Sequence, residues 1–82
     1  METLDARGLL CPLPVIRTQD RMRDLAAGMT LEVLATDPGV LEDIPAWCRV
    51  HGHEVVSSEE DDDVVRVVVR KMHQPGANEE ER

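Results

Sequence analysis

The sequence contains no phenylalanine and no tyrosine, and Trp47 is its single tryptophan. That scarcity excludes the stacking platform on which single-stranded nucleic-acid binders hold bases. Basic residues are also in deficit: 9 Lys and Arg against 17 Asp and Glu give a formal net charge of -8. A chain so charged lacks the clustered cations that grip phosphate backbones, so no direct nucleic-acid contact is expected. No apolar run approaches the roughly 18 residues of a membrane helix. Residues 1 to 20 lack the basic start and long apolar centre of a signal peptide, which leads us to expect a cytoplasmic protein with no membrane contact. No glycine-rich phosphate loop, Ser-His-Asp set or carboxylate pair stands out, and no cofactor is implied.

What remains is a chain of 82 residues, 41% hydrophobic and 32% charged, which is one small soluble domain. At this length folding hides only about 60% of the surface of the unfolded chain, so any chemistry sits near the surface and against a partner. The acidity is concentrated in the runs Glu59 to Asp63 and Glu79 to Glu81. Without those eight residues the 17 acids become nine, equal to the 9 bases, so the body of the domain is neutral. Both runs read as solvated charge, the first at a turn and the second on a disordered acidic tail over 73–82 that follows a domain over 1–72.

Alternation and punctuation divide the domain into six elements. A short strand is expected over Thr3 to Ala6, then a helix from Pro12 to Ala27 with Val15, Met22 and Ala26 on its buried face, flanked by Ile16 and Leu25 and stopped by Gly28. Met29 to Ala35 reads as a second strand. Val40 to His51 reads as a second helix with Val40, Leu41, Ile44, Trp47, Cys48 and His51 on one stripe, closed by Gly52. Pro45 either kinks that helix or marks a fresh start capped by Asp43. His53 to Ser58 and Val64 to Lys71 form a hairpin across the acidic turn, with Val65, Val67 and Val69 facing the core. The order βαβαββ implies an α+β fold, a two-layer sandwich with a mixed four-stranded sheet and both helices on one face. The other face is expected to expose Leu34 and Val68.

The most informative stretch is Gly8-Leu9-Leu10-Cys11-Pro12-Leu13-Pro14. A residue before proline leaves the helical region and proline favours the first helical position, so Cys11 is expected as the N-cap of the first helix. Cysteine caps poorly, which suggests that the thiol is wanted for its reactivity. The helix dipole and free N–H groups would lower its pKa, although Pro12 and Pro14 remove two donors and leave Leu13 N–H as the main one. The alternative is a small hydrophobe tucked into a strand-to-helix corner.

Thr3-Leu4-Asp5-Ala6, Gly8-Leu9 and Cys11-Pro12-x-Pro14 resemble the opening of the TusA family, also called SirA-like. Asp37-Pro38, Asp43-Ile44-Pro45, Cys48 and His53-Glu54 continue the likeness through roughly residues 3 to 71. The resemblance implies that Cys11 is the catalytic residue, accepting sulfane sulfur as a persulfide. The donor would be a cysteine desulfurase or rhodanese-like protein, and the acceptor a DsrE-like or other cysteine-bearing protein. Such a relay serves tRNA thiolation, sulfur oxidation or cofactor biosynthesis. Leu13, where the tRNA branch often has an acid, and Leu10, where it can have a base, leave the partner open.

Other residues keep two readings. Gly8, Pro12 and Pro14 shape the site, and Asp37 either orients it or caps a turn. Arg7, Arg17 and Arg21 either flank a partner dock or are solvated charges with local ion pairs. Cys48 reads as core, and the string Cys48, His51, His53 offers only three nearby ligands, so no metal is assigned. Two cysteines without an export signal are expected as reduced thiols in a monomer. A regulatory or RNA-binding interaction module without chemistry is the alternative function.

Overall fold

The computed structural model describes residues 1–72; the expected acidic tail over 73–82 lies outside them. Six elements follow the order β1 (Glu2–Ala6), α1 (Leu13–Arg23), β2 (Thr30–Ala35), α2 (Val40–His51), β3 (Glu54–Asp61) and β4 (Val64–Arg70). The sheet order is β1-β2-β4-β3, with β1 and β2 parallel and β4 antiparallel to both neighbours. The fold is the α+β sandwich implied by the element order, and β4 fills the gap between β2 and β3. Leu4, Ala6, Leu31, Val33, Ala35, Val65, Val67 and Val69 line the core face of the sheet, where Met22, Leu25, Val40, Ile44 and Cys48 meet them.

Helix α1 departs from the expected phase and length. Its buried residues are Pro14, Thr18 and Met22, one turn apart, while Ile16 is exposed and Ala26 lies beyond the helix end. Thr18 tolerates the core because its hydroxyl donates to the Pro14 carbonyl at 2.8 Å. The helix ends at Arg23 rather than Ala27, where Asp24 N–H and Leu25 N–H tighten back onto the Arg21 and Met22 carbonyls and Lys71 caps the end. The Lys71 ammonium donates to the carbonyls of Met22 at 2.5 Å and Leu25 at 2.7 Å. Lys71 is only 2% exposed, and these bonds satisfy a buried charge at the negative end of a helix.

Helix α2 is continuous through Pro45, so the fresh start at Asp43 does not occur, and Gly39 holds the N-cap position. Gly52 closes it in the left-handed region at φ 78, with His53 N–H returning to the Cys48 carbonyl at 2.8 Å. The hairpin turn is shorter than expected. β3 runs to Asp61, past a bulge between Val55 and Ser57, because Glu59, Glu60 and Asp61 pair with Arg66, Val65 and Val64. On the open sheet face Leu34 is half-buried, and Val68 is 5% exposed. Its flanking residues Arg66 and Arg70 reach to Glu32 and Glu54, so long charged side chains cover that face.

Candidate functional site

Parallel pairing of β1 with β2, Ala6 opposite Ala35, brings the loops that follow the two strands side by side. Short contacts then lock the loops together. Ala6 to Leu9 form a turn closed by Leu9 N–H to the Ala6 carbonyl, with Gly8 at φ 83 in the position where that turn calls for a glycine. Gly8 N–H donates to the Thr36 hydroxyl at 2.9 Å. Asp37 bridges the two loops: one carboxylate oxygen accepts Gly39 N–H at 3.0 Å and the other accepts Cys11 N–H at 3.1 Å.

Cys11 is exposed but is not the N-cap of α1. The Cys11–Pro12 peptide bond is cis, and Leu13 N–H donates to the Leu10 carbonyl at 2.9 Å, closing a turn with Pro12 at its third position. Pro12 takes the N-cap position, and the donor expected to favour a thiolate is spent inside the turn. The thiol instead faces acid: its Sγ–H donates to Asp43 Oδ2 at 3.5 Å. That hydrogen bond, partial desolvation and the nearby charges of Asp43 and Asp37 push the Cys11 pKa up, not down.

The Asp-Ile-Pro triplet contains Asp43, but its sequence position suggests only a helix cap and not the link to Cys11, 32 residues away. The usable signal was an acid in the first turn of a helix whose preceding loop must lie beside the cysteine loop. Gly39 belongs to the same arrangement. A Cβ there would lie in ordinary contact with Asp37 Oδ1 at 3.4 Å and Asp43 Oδ2 at 3.7 Å, so both carboxylates crowd the start of α2.

Exposed apolar residues flank Cys11 along the chain. Leu10 is 73%, Leu13 41% and Ile16 44% exposed, which is unusual for large aliphatic side chains gathered along one turn and one helix start. Of the three arginines, Arg7 is held by Asp5, whose carboxyl the guanidinium lowers to about 2. Arg17 is exposed and makes no ion pair among the described residues. Arg21 reaches Glu2 and the Thr3 carbonyl. It stands eight residues along α1 from Leu13, roughly 12 Å of helix. Cys48 is buried, and desolvation pushes its thiol up to about 11. Trp47 packs against the rings of His51 and His53 at 4.9 and 5.4 Å, and no group of three metal-ligating side chains forms among the described residues.

Residues 2–71 match the family described as Sulfurtransferase TusA. The chain belongs to the TusA family. It is 51% identical over 71 residues to a putative sulfur carrier protein of Halobacterium salinarum, covering 85% of this chain and 88% of that one. Against the sulfur carrier protein TusA of Pseudomonas putida the identity is 46% over 68 residues, covering 83% and 85%. The putative sulfur carrier protein YrkF of Bacillus subtilis is also 46% identical over 68 residues, but this chain spans only 37% of its length. Among solved structures, the SirA-like protein of Desulfitobacterium hafniense superposes with a TM-score of 0.78 at 28% identity, covering 89% of this chain and all of that one. No helix among the described residues is long and apolar enough to cross a membrane.

Proposed function

We propose that residues 1–72 form a cytoplasmic sulfur carrier in which Cys11 bears the transferred sulfur as a persulfide. The observation that carries this reading is the single exposed thiol among the described residues, set in the Cys11-Pro12-x-Pro14 motif of a TusA-family chain. In loading, the Cys11 thiolate attacks the outer sulfur of a donor persulfide. A new S–S bond forms at Cys11 Sγ, the donor S–S bond breaks, and the donor cysteine leaves as thiolate. In unloading, an acceptor thiolate attacks the outer sulfur of Cys11, whose Sγ leaves with the bonding pair and regains a proton. The sulfur passes with no net oxidation and no cofactor.

Both steps require the protein to dock onto another. The exposed Leu10, Leu13 and Ile16 supply an apolar contact around the thiol, with Arg7 and Arg17 at its margin and Gly8, Pro12, Pro14 and Asp37 fixing the loop. A cysteine desulfurase or rhodanese-like donor and a DsrE-like or other cysteine-bearing acceptor are the partner classes proposed. One exposed cysteine serves both, so the monomer is sufficient. The test is intact mass under non-reducing conditions after incubation with a cysteine desulfurase and free cysteine. Wild type and Cys48→Ser gain one sulfur atom, and Cys11→Ser gains none. A gain that moves with Cys48, or no gain from several donors, overturns the reading in favour of an interaction module without chemistry.

A further inference from the structure

A sulfur carrier must react with its partners and resist the small thiols and electrophiles that surround it. The residues around Cys11 bear on the second requirement. Its Sγ–H donates to Asp43 Oδ2 at 3.5 Å, and Asp37 accepts its backbone N–H at 3.1 Å. Asp43 projects from the first turn of α2 and Asp37 from the loop before it, and both carboxylates lie within 4 Å of where a Gly39 Cβ would stand. Both charges that act on the thiol are therefore negative. The α1 side contributes Pro12, Leu13 and a Leu13 N–H already bonded to Leu10. An activated cysteine is normally built the opposite way, beside a base or a free helix N-terminus.

We propose that Asp43 is a positioning residue that holds the Cys11 thiol protonated in the undocked carrier, restraining its exchange with small molecules. The proposal deepens the carrier reading of Cys11 and rests on it. Two consequences follow from thiol exchange chemistry. A protonated thiol attacks slowly, so the empty carrier is protected from electrophiles. A more basic thiolate is also a poorer leaving group, so the loaded carrier keeps its sulfur when glutathione thiolate attacks the outer atom. In that side reaction a glutathione S–S bond forms, the Cys11 S–S bond breaks, and Cys11 Sγ must depart as thiolate against the Asp43 carboxylate. A partner that brings a cation or N–H donors to the apolar rim offsets that charge, and transfer proceeds there.

The experiment compares wild type and Asp43→Asn. It reads the pH profile of iodoacetamide alkylation at Cys11 and the rate at which desulfurase-loaded protein loses sulfur to glutathione. Wild type should show an alkylation midpoint above the ordinary thiol value of 9.0. In Asp43→Asn the midpoint falls, and alkylation at pH 7 rises about threefold, part of the thiolate gain being offset by lower intrinsic nucleophilicity. Loss of sulfur to glutathione quickens by a similar factor. A midpoint unmoved or raised in Asp43→Asn overturns the proposal, as does a wild-type midpoint at or below the ordinary value, which needs no variant to fold. Loading of wild type at Cys11 in the same preparation keeps the two readings apart, since its failure would sink the carrier reading itself.

Discussion

Cys11 and Cys48 are the same side chain in two settings, and both have thiols pushed above the ordinary range for opposite reasons. Cys48 is raised to about 11 by burial on the core face of α2. Cys11 is exposed and is raised chiefly by the hydrogen bond to Asp43. Burial is removed only when the protein opens, whereas an acidic neighbour at the surface can be neutralised by whatever docks there. In this fold access, and not an intrinsically acidic thiol, separates the two cysteines.

The sharpest way to break that contrast is to alkylate the native protein with iodoacetamide and map the modified peptides by mass spectrometry. Cys11 should react at least about a hundredfold faster than Cys48, because a core thiol reacts only through opening of the fold. Addition of guanidinium should bring the two rates together. Comparable native rates would erase the distinction.

A second prediction tests whether the frame can be weakened without touching the thiol. Lys71 holds the far end of α1 through buried bonds to the Met22 and Leu25 carbonyls. Lys71→Met should lower unfolding free energy by about 2 kcal/mol, read from urea denaturation, as buried acceptors lose their donor. Loading at Cys11 below the unfolding midpoint should persist.

The smallest effect concerns pH. Cys48 is raised in the folded state from an ordinary value of 9.0 to about 11, so its contribution to stability is fully present below the lower value. It is lost as pH climbs through the upper one, because only the unfolded chain then releases the proton easily. Urea midpoints should fall between pH 9 and 11 in wild type and fall less in Cys48→Ala. The variant itself should cost about 1 kcal/mol near neutrality for the lost packing.

The element order and sheet architecture were legible in the sequence because apolar alternation and the glycine and proline breaks coincide with real boundaries. The valines at 65, 67 and 69 set the face of β4, and Gly52 closes α2 as its place in the chain suggests. What escaped depends on contacts between elements far apart in sequence. Lys71 continues the inward alternation of β4, but its burial follows only once α1 ends over it. Thr18 is polar by composition and buried because Pro14 offers a carbonyl one turn back. The site was half legible. The proline motif and the family resemblance point to Cys11 as the candidate thiol, while its pKa is raised where the sequence led us to expect it lowered. The reversal rests on Asp43, 32 residues away in sequence, and on a Leu13 N–H that the turn consumes.

The central claim is that Cys11 carries sulfur between proteins rather than merely becoming modified. Its most direct test is to load the protein with heavy-sulfur-labelled cysteine and a desulfurase, remove the donor, and add a DsrE-like acceptor while following both proteins by mass spectrometry. The label should leave the Cys11 peptide and appear on an acceptor cysteine in equal amount. Label that stays on Cys11, or that never enters its peptide, would contradict the account.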